Sequence, residues 1–410
     1  MLASVVGRRS AWSLADQIVS SVTNLVILVM VARSTSLAEI GAFAVAFTLY
    51  QFVLALSRPL NTDPLVVRFS AAAPEDHRRA AVGAVSGALG LGLLILPVGA
   101  VTWVVVGGGT GAAVLGLAAV APALFLQDAW RFVFVSAGTP AKAMVNDLAM
   151  LVSLVLFGVV ASEIGTGRAV DFVVAWGMAA LVGVVVGAVE SSLRPRISAG
   201  ISWWRETGNL GSRMLGENVL AMGAYSLTLL AIAAISGVPE LGKLRTAQVA
   251  IAVTNPVMLA AGMVVAAEGT RLRSAADPRL TRLVGTAWLA ASAVPVMVGV
   301  LWLAVPESVG TRLLGEGWAA SRSIVLGAAL LGGGIGATTV LSAGLRAMGR
   351  AVSALRCRAL VAPLTFGGGL AAASFSGPAG AVVAMAVAEA LCATIMWQRF
   401  RAWTSREPVA

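Results

Sequence analysis

The sequence predicts an all-α membrane protein of about 12 transmembrane helices, arranged as two six-helix lobes. Three observations carry this expectation. Of the 410 residues, 58% are hydrophobic and only 12% are charged, whereas an average soluble domain is roughly 25% charged. Apolar stretches of about 20 residues, the length that crosses a bilayer, recur from one end of the chain to the other. The basic residues, finally, gather in alternate loops.

The apolar stretches place spans at 11–32, 39–57, 80–105, 111–135, 141–162 and 169–192, then at 211–236, 244–267, 282–304, 323–345, 354–375 and 379–399. None shows the apolar–polar alternation in segments of about ten residues that marks a membrane β-strand. Arg8 and Arg9 precede a first stretch too long for a signal-peptide core and without a small-residue cleavage site, so it is expected to stay as an anchor. Only Ser374–Pro378 divides the last two spans. Within the eighth, Thr254-Asn255-Pro256 predicts a kink.

With 12 spans, both termini and every second loop share one side of the membrane. That side collects 23 of the 29 basic residues, from Arg8 and Arg9 through Arg58, Arg131 and Arg213 to Arg406. The other side holds six: Arg33, Arg168, Lys243, Arg245, Arg312 and Arg322. By the positive-inside rule the basic side is cytoplasmic. A net charge of +10 spread over short loops between helices argues against nucleic acid as a partner. Trp12, Trp203, Trp204, Trp397 and Trp403 are expected at the inner interface, Trp103 and Trp302 at the outer one.

A shift of 201 residues lays the first half on the second. Leu37-Ala38-Glu39-Ile40-Gly41 then falls on Val238-Pro239-Glu240-Leu241-Gly242, Asp16 on Glu217, Asp76 on Asp277 and Arg78 on Arg279. The expected organisation is an N-terminal lobe at 1–193, a basic cytoplasmic linker at 194–210, and a C-terminal lobe at 211–410. Six spans per lobe give parallel repeats about an axis along the membrane normal, with a substrate site between them.

Ionisable and amide side chains inside spans are costly and mark cavities or buried pairs. Ser13, Gln17, Ser20 and Asn24 make one polar face on the first span, with Asp16 and Thr23 beside it, and Asp16 is expected to face a cavity. The second span carries Thr48, Gln51 and Arg58. The fourth and fifth carry Gln127, Asp128, Arg131, Asn146 and Asp147. Counted from Ala137 at 1.5 Å per residue, Arg131 lies roughly 9 Å and Asp128 roughly 14 Å inside the helix. Two readings stand for this set. Asp128 and Arg131 at i,i+3, and Arg213 and Glu217 at i,i+4, satisfy each other, with Asp147 answering Arg131 across the hairpin; or they serve a substrate. Arg58 is either a snorkelling interface residue or a substrate contact. Glu389 stands alone in the last span.

Other features exclude chemistry. Cys357, expected at the cytoplasmic surface, and Cys392, inside a helix, are too far apart in sequence and context to suggest a disulfide. His77 is the single histidine and is expected to be solvated, so a histidine metal centre or triad has no basis. No nucleophile–base set or Walker sequence is present. The expectation is a non-enzyme without cofactor or bound metal. Gly332-Gly333-Gly334 with Gly336, and Gly183 with Gly187, read as close helix packing rather than phosphate cradles.

Several segments resemble the polysaccharide (O-antigen type) flippases of the multidrug/oligosaccharidyl-lipid/polysaccharide exporter superfamily. They are Ala32–Phe47 with its Glu-x-Gly helix start, Pro122–Asp147, Gly242–Gly262, the outer loop Val305–Arg322 and the Gly-Arg inner loop in Ala347–Ala354. The first span lacks the arginine of lipid II flippases and the proline of proton-coupled drug exporters, and the chain ends just after span 12. The resemblance implies alternating access by two lobes and, as cargo, an oligosaccharide on a polyprenyl diphosphate, carried across the plasma membrane of a bacterium. Membrane lipids and polysaccharide-synthesis enzymes are the partners it implies, for a monomeric transporter. Arginine suits a diphosphate because its planar fork binds phosphate oxygens bidentately.

By position, the candidate substrate contacts are Arg58, Arg131, Gln51, Asn24 and Gln127. Asp16, Glu217, Asp128 and Asp147 are the candidates for coupling or gating, with the ion, H⁺ or Na⁺, left open. Two other functions stand beside the flippase. A cation-coupled exporter of cationic compounds would need unpaired acids, whereas an anionic cargo needs a basic site. A membrane scaffold for polysaccharide-synthesis enzymes would tolerate loss of all these groups. Replacing Arg131 by Ala is expected to abolish export and leave abundance near normal.

Overall fold

The computed structural model describes residues 2–70, 72–274, 279–315 and 317–404. Side chains at 2–11, at 13, 14, 213, 217, 218, 220, 221, 267, 270, 271, 273 and 274 lie outside that description. Every regular element among the described residues is helical. The chain divides into two compact units, Met1–Val219 and Leu220–Ala410.

The first unit holds α1 (Leu2–Ser34), α2 (Leu37–Phe69), α3 (Pro74–Val106), α4 (Gly108–Ser136), α5 (Pro140–Ile164), α6 (Ala169–Ser191) and α7 (Ile197–Asn218). Local chemistry sets the boundaries. Ser36 caps α2 by accepting from the Glu39 amide. Proline opens α3 and α5 at the first turn, where its missing N–H costs nothing. Between α3 and α4 the chain reverses through Gly107 and Gly108, both at positive φ. Asp171 accepts from the amides of Thr166 and Arg168 and so closes the entry to α6. A second acid reaches that same turn, because Glu39 accepts from the Ala169 amide at 2.6 Å. The Glu-x-Gly start of α2 thus fastens the N-terminal end of α6.

Two spans run past their expected inner ends. The second is expected over 39–57, yet α2 continues to Phe69 through Pro59 and Pro64. At 33 residues it is about 50 Å long, well beyond a hydrocarbon core of about 30 Å. The segment expected as a linker at 194–210 is extended only as far as Arg196 and then forms α7. The reason lies in side-chain fit. Gly83, Gly87 and Gly90 make a notch on α3 that receives Trp203 and Trp204. Their indole N–H groups donate to the Asn61 carbonyl at 3.1 Å and the Asn61 side-chain oxygen at 2.8 Å. Asn61 is itself fully buried. The basic stretch is therefore packed on α2 and α3, and the chain passes to the second unit in the π turn Val219–Gly223.

The second unit holds α8 (Ala224–Ser236), α9 (Val238–Ala252), α10 (Asn255–Ser274), α11 (Arg279–Ala304), α12 (Glu307–Leu314), α13 (Gly317–Ser321), α14 (Val325–Ala347), α15 (Ala351–Pro363) and α16 (Gly369–Thr404). α9 begins 201 residues after α2, as the repeat requires. The axes of α9 and α10 differ by 58° at the expected break around Thr254-Asn255-Pro256. Gly377 at φ 61° interrupts α16 just before Pro378, within the five residues expected to separate the last pair of spans. α14 packs most heavily on α11 and α16. Its glycines sit against neighbours: a Cβ on Gly333 would meet the Ser292 carbonyl at 2.6 Å, and one on Gly334 the Glu389 Cβ at 2.7 Å.

Nine described helices are long and apolar enough to cross a membrane. One of the nine covers 54 residues, Ala351–Thr404, about 80 Å at 1.5 Å per residue, and Gly377 splits it in two. Adding the bent α9–α10 pair and the shorter apolar α8 brings the tally to about 12. The protein is an all-α, multi-pass membrane protein.

Candidate functional site

A buried cluster of charged and amide side chains lies where α1, α2, α4 and α5 meet. Four of its five charged side chains are nearly dry: residues Asp16, Asp128, Arg131 and Asp147 are 3–8% exposed. Ionised groups persist at such depth only when paired.

Arg131 on α4 is the hub. It donates to Asp16 Oδ2 on α1 at 2.9 Å, lies 2.9 Å from Asp147 Oδ2 on α5 through Nε, and 3.7 Å from Asp128 Oδ1 one turn back on its own helix. Asp128 is held mainly from α2: Arg58 Nε donates to its Oδ2 at 3.1 Å and Nη2 to its Oδ1 at 2.7 Å. This is the two-pronged fork that a guanidinium makes with a carboxylate. The Arg58 guanidinium also lies 5.2 Å from the centre of the Phe132 ring.

Amides complete the network. Gln127 donates to Asp147 Oδ1 at 2.7 Å and to Asn146 Oδ1 at 3.0 Å, and Asn146 donates to the Gly183 carbonyl of α6 at 2.6 Å. A Cβ at Gly183 would fall 2.8 Å from Gln127, and one at Gly187 2.6 Å from Trp130. The expected reading of these glycines as close-packing sites holds. Tyr50 stacks on Phe125 and edges Trp176, forming an aromatic wall beside the network.

Two features bear on chemistry. First, three carboxyl groups face two guanidiniums, a formal net charge of −1 with every group ionised. Two carboxylate oxygens within the network, Asp16 Oδ1 and Asp147 Oδ2, are buried and accept no hydrogen bond; the short approach of Arg131 Nε to the latter is not aligned as one. Second, Arg58 alone is open. Its side chain is 35% exposed, against 9% or less for the other four.

These positions sort the candidates. Arg58, Arg131, Gln127, Asp16, Asp128 and Asp147 come together. Asn24 and Gln51 are half-buried on α1 and α2 and make no side-chain hydrogen bond among the described residues. The Glu217 side chain lies outside the described residues. Asp16 is expected to face a cavity; it is buried and ion-paired instead, because Arg131 reaches it across the α1–α4 interface. Asp128 and Arg131 are one expected pair, and that contact is the loosest of the set. The sequence offers no sign of the Arg58–Asp128 fork, which needs the register between α2 and α4.

The second unit carries a smaller polar group. Glu389, without a visible partner in the sequence, accepts from Thr338 at 2.8 Å. It lines a cavity of about 20 Å³ with Tyr225, Arg358, Thr365 and Cys392. Gln248 donates to the Tyr225 hydroxyl and accepts from Arg245. Cys357 is expected at the surface, but both cysteines are buried and unbridged. Nor is His77 freely solvated, since its Nε2 lies 2.9 Å from Ser136 Oγ. No cluster of three or more His, Cys, Asp or Glu suited to a metal occurs among the described residues.

No protein-family model matches the chain, and no curated protein sequence does. Solved structures do. An inward-facing multidrug resistance MATE family transporter of the MOP superfamily shares the fold at TM-score 0.76 and 13% identity, over 97% of this chain and 100% of that one. Lipid II flippase MurJ in an inward closed conformation aligns at TM-score 0.72 and 12% identity, over 96% of this chain and 87% of its own. A MOP superfamily transporter from Pyrococcus furiosus aligns at TM-score 0.59 and 15% identity, over 98% and 95%. At these identities the likeness speaks for the fold, and the fold of this membrane protein is the one MOP superfamily transporters share.

Proposed function

We propose that this protein flips a polyprenyl-diphosphate-linked oligosaccharide from the inner to the outer leaflet of a bacterial plasma membrane. The observation that carries the reading is the openness of Arg58. Every buried acid of the network touches a guanidinium, and the one charged group left accessible is a guanidinium. A site that offers a half-open arginine fork suits a diphosphate. Half-buried Asn24 and Gln51, free of internal hydrogen bonds, offer amides for a sugar. Similarity in fold to a lipid II flippase supports the same reading.

The second reading is a cation-coupled exporter of cationic or amphipathic compounds. Similarity to a multidrug MATE transporter and the net −1 of the network favour it. Against it, Asp16 is paired with Arg131 and not available to a cationic cargo.

Deletion of the gene, followed by assay of lipid-linked sugars on each leaflet, tests the class. The proposal expects accumulation on the inner leaflet, restored by wild-type protein. Arg58→Ala expressed at wild-type abundance should cut export about tenfold or more, the loss of roughly 1.4 kcal/mol of phosphate binding. Normal export in the deletion strain, with acquired sensitivity to cationic dyes, would favour the second reading.

A further inference from the structure

Arg58 has two calls on its guanidinium. It closes a fork on Asp128, and it is the network's only member with a large exposed fraction. Asp128 in turn has an alternative partner within reach, because Arg131 Nη1 stands 3.7 Å from its Oδ1. Arg58 is therefore the member able to change partners without unpacking the interior.

We infer that an anionic headgroup competes with Asp128 for Arg58, and that this exchange draws a proton from solvent into the buried network. The inference rests on the anionic-cargo reading above and adds its sign of coupling. When a phosphate takes the Arg58 fork, Asp128 keeps only its contact with Arg131. Three carboxylates, Asp16, Asp128 and Asp147, then share one guanidinium. Nearly dry surroundings do not tolerate that added charge imbalance. A proton offsets it, and two buried carboxylate oxygens stand without a hydrogen bond to receive it, Asp16 Oδ1 and Asp147 Oδ2. No bond other than the new O–H forms.

Among the described residues, the charges that act on the network include no third cation. α2 adds Tyr50 and half-buried Asp63, which lies within electrostatic reach of both Arg58 and Asp128. α4 and α5 add the amides Gln127 and Asn146, and α6 the Gly183 carbonyl, its own acids Asp171 and Glu190 being at its two ends. By linkage the effect is reciprocal: protonation of the network frees Arg58 for an anion, and an anion on Arg58 raises the network's proton affinity. Anion affinity should rise as pH falls.

The test is isothermal titration of the full-length protein in detergent with farnesyl diphosphoryl-N-acetylglucosamine, a diester whose own charges do not titrate near neutral pH. Runs in buffers of different ionisation enthalpy count the protons exchanged. Wild type should take up a fraction of a proton approaching one, with Kd tightening by up to tenfold per pH unit as pH falls. The Asp16→Asn/Asp147→Asn double variant should bind with a pH-independent Kd, and Arg58→Met should lose binding. The wild-type proton count stands even if the double variant fails to fold. Binding without proton uptake, or with proton release, overturns the exchange and leaves the anionic-cargo reading intact; undiminished binding by Arg58→Met overturns the exchange and also removes the observation on which that reading rests. Absence of binding to wild type sinks both.

Discussion

Arg58 and Arg131 both approach Asp128, yet their substitution should have unlike consequences. Arg131 is 8% exposed and touches three carboxylates on three helices. Removing it leaves Asp16 and Asp147 buried with no cation, and breaking a buried pair in this way costs about 3–5 kcal/mol. The sequence alone suggests that Arg131→Ala would spare abundance; the structure predicts otherwise. Arg131→Met should lower the unfolding midpoint in detergent markedly, and Arg131→Met with Asp16→Asn and Asp147→Asn should recover much of the loss, because no unpaired charge remains. Equal stability of Arg131→Met and wild type would contradict the hub role. Burial of the acids and of Arg131 is legible from their depth in apolar spans. Their partners are legible only where they lie near in sequence, as Asp147 does to Arg131 across the α4–α5 hairpin. A single sequence shows spacing along one helix, so Asp128–Arg131 at i,i+3 stands out, whereas Arg58–Asp128 joins residues 70 apart in sequence.

At the scale of the element, α7 shows why a basic, Trp-bearing stretch reads as a linker. Its charges and glycines look like loop composition, and the glycines that make it a helix lie on α3, 110 or more residues earlier. Gly87 is the critical notch: a Cβ there would stand 2.2 Å from Asn61 Oδ1 and 2.9 Å from Trp204 Nε1. Gly90, one turn on, meets Trp204 at an ordinary 3.4 Å. Gly87→Ala should therefore force Asn61 and Trp204 apart and cost about 1–3 kcal/mol, whereas Gly90→Ala should stay within about 0.5 kcal/mol of wild type. Thermal unfolding of the two variants, followed by tryptophan emission, checks this. A red shift in the folded baseline of Gly87→Ala alone would mark Trp204 moving into water. If both variants unfold like wild type, the indole–Asn61 bonds are not what holds α7 to α2 and α3.

For the whole molecule, the bilayer as solvent makes the spans readable: each must satisfy its backbone internally and stay apolar for about 20 residues. That constraint acts along the chain, so it survives without knowledge of any tertiary contact, and the expected spans fall on helical segments of the structure, the eighth straddling the 58° break between α9 and α10. Orientation belongs to the same scale, since it is a sum over loops. With 23 basic residues on one side and six on the other, the α2–α3, α4–α5 and α6–α7 connections should be cytoplasmic, and the α3–α4 and α5–α6 connections outside. Replacing Cys357 and Cys392 by alanine removes the two native thiols, both buried. On that background, a cysteine at exposed Thr166, between α5 and α6, should react with a membrane-impermeant maleimide in intact cells. One at exposed Ala73, before α3, should react only after the membrane is opened. Labelling of Ala73→Cys but not Thr166→Cys in intact cells would invert the protein, and Arg58, on the Ala73 side of α2, would then meet its anion from the outer leaflet.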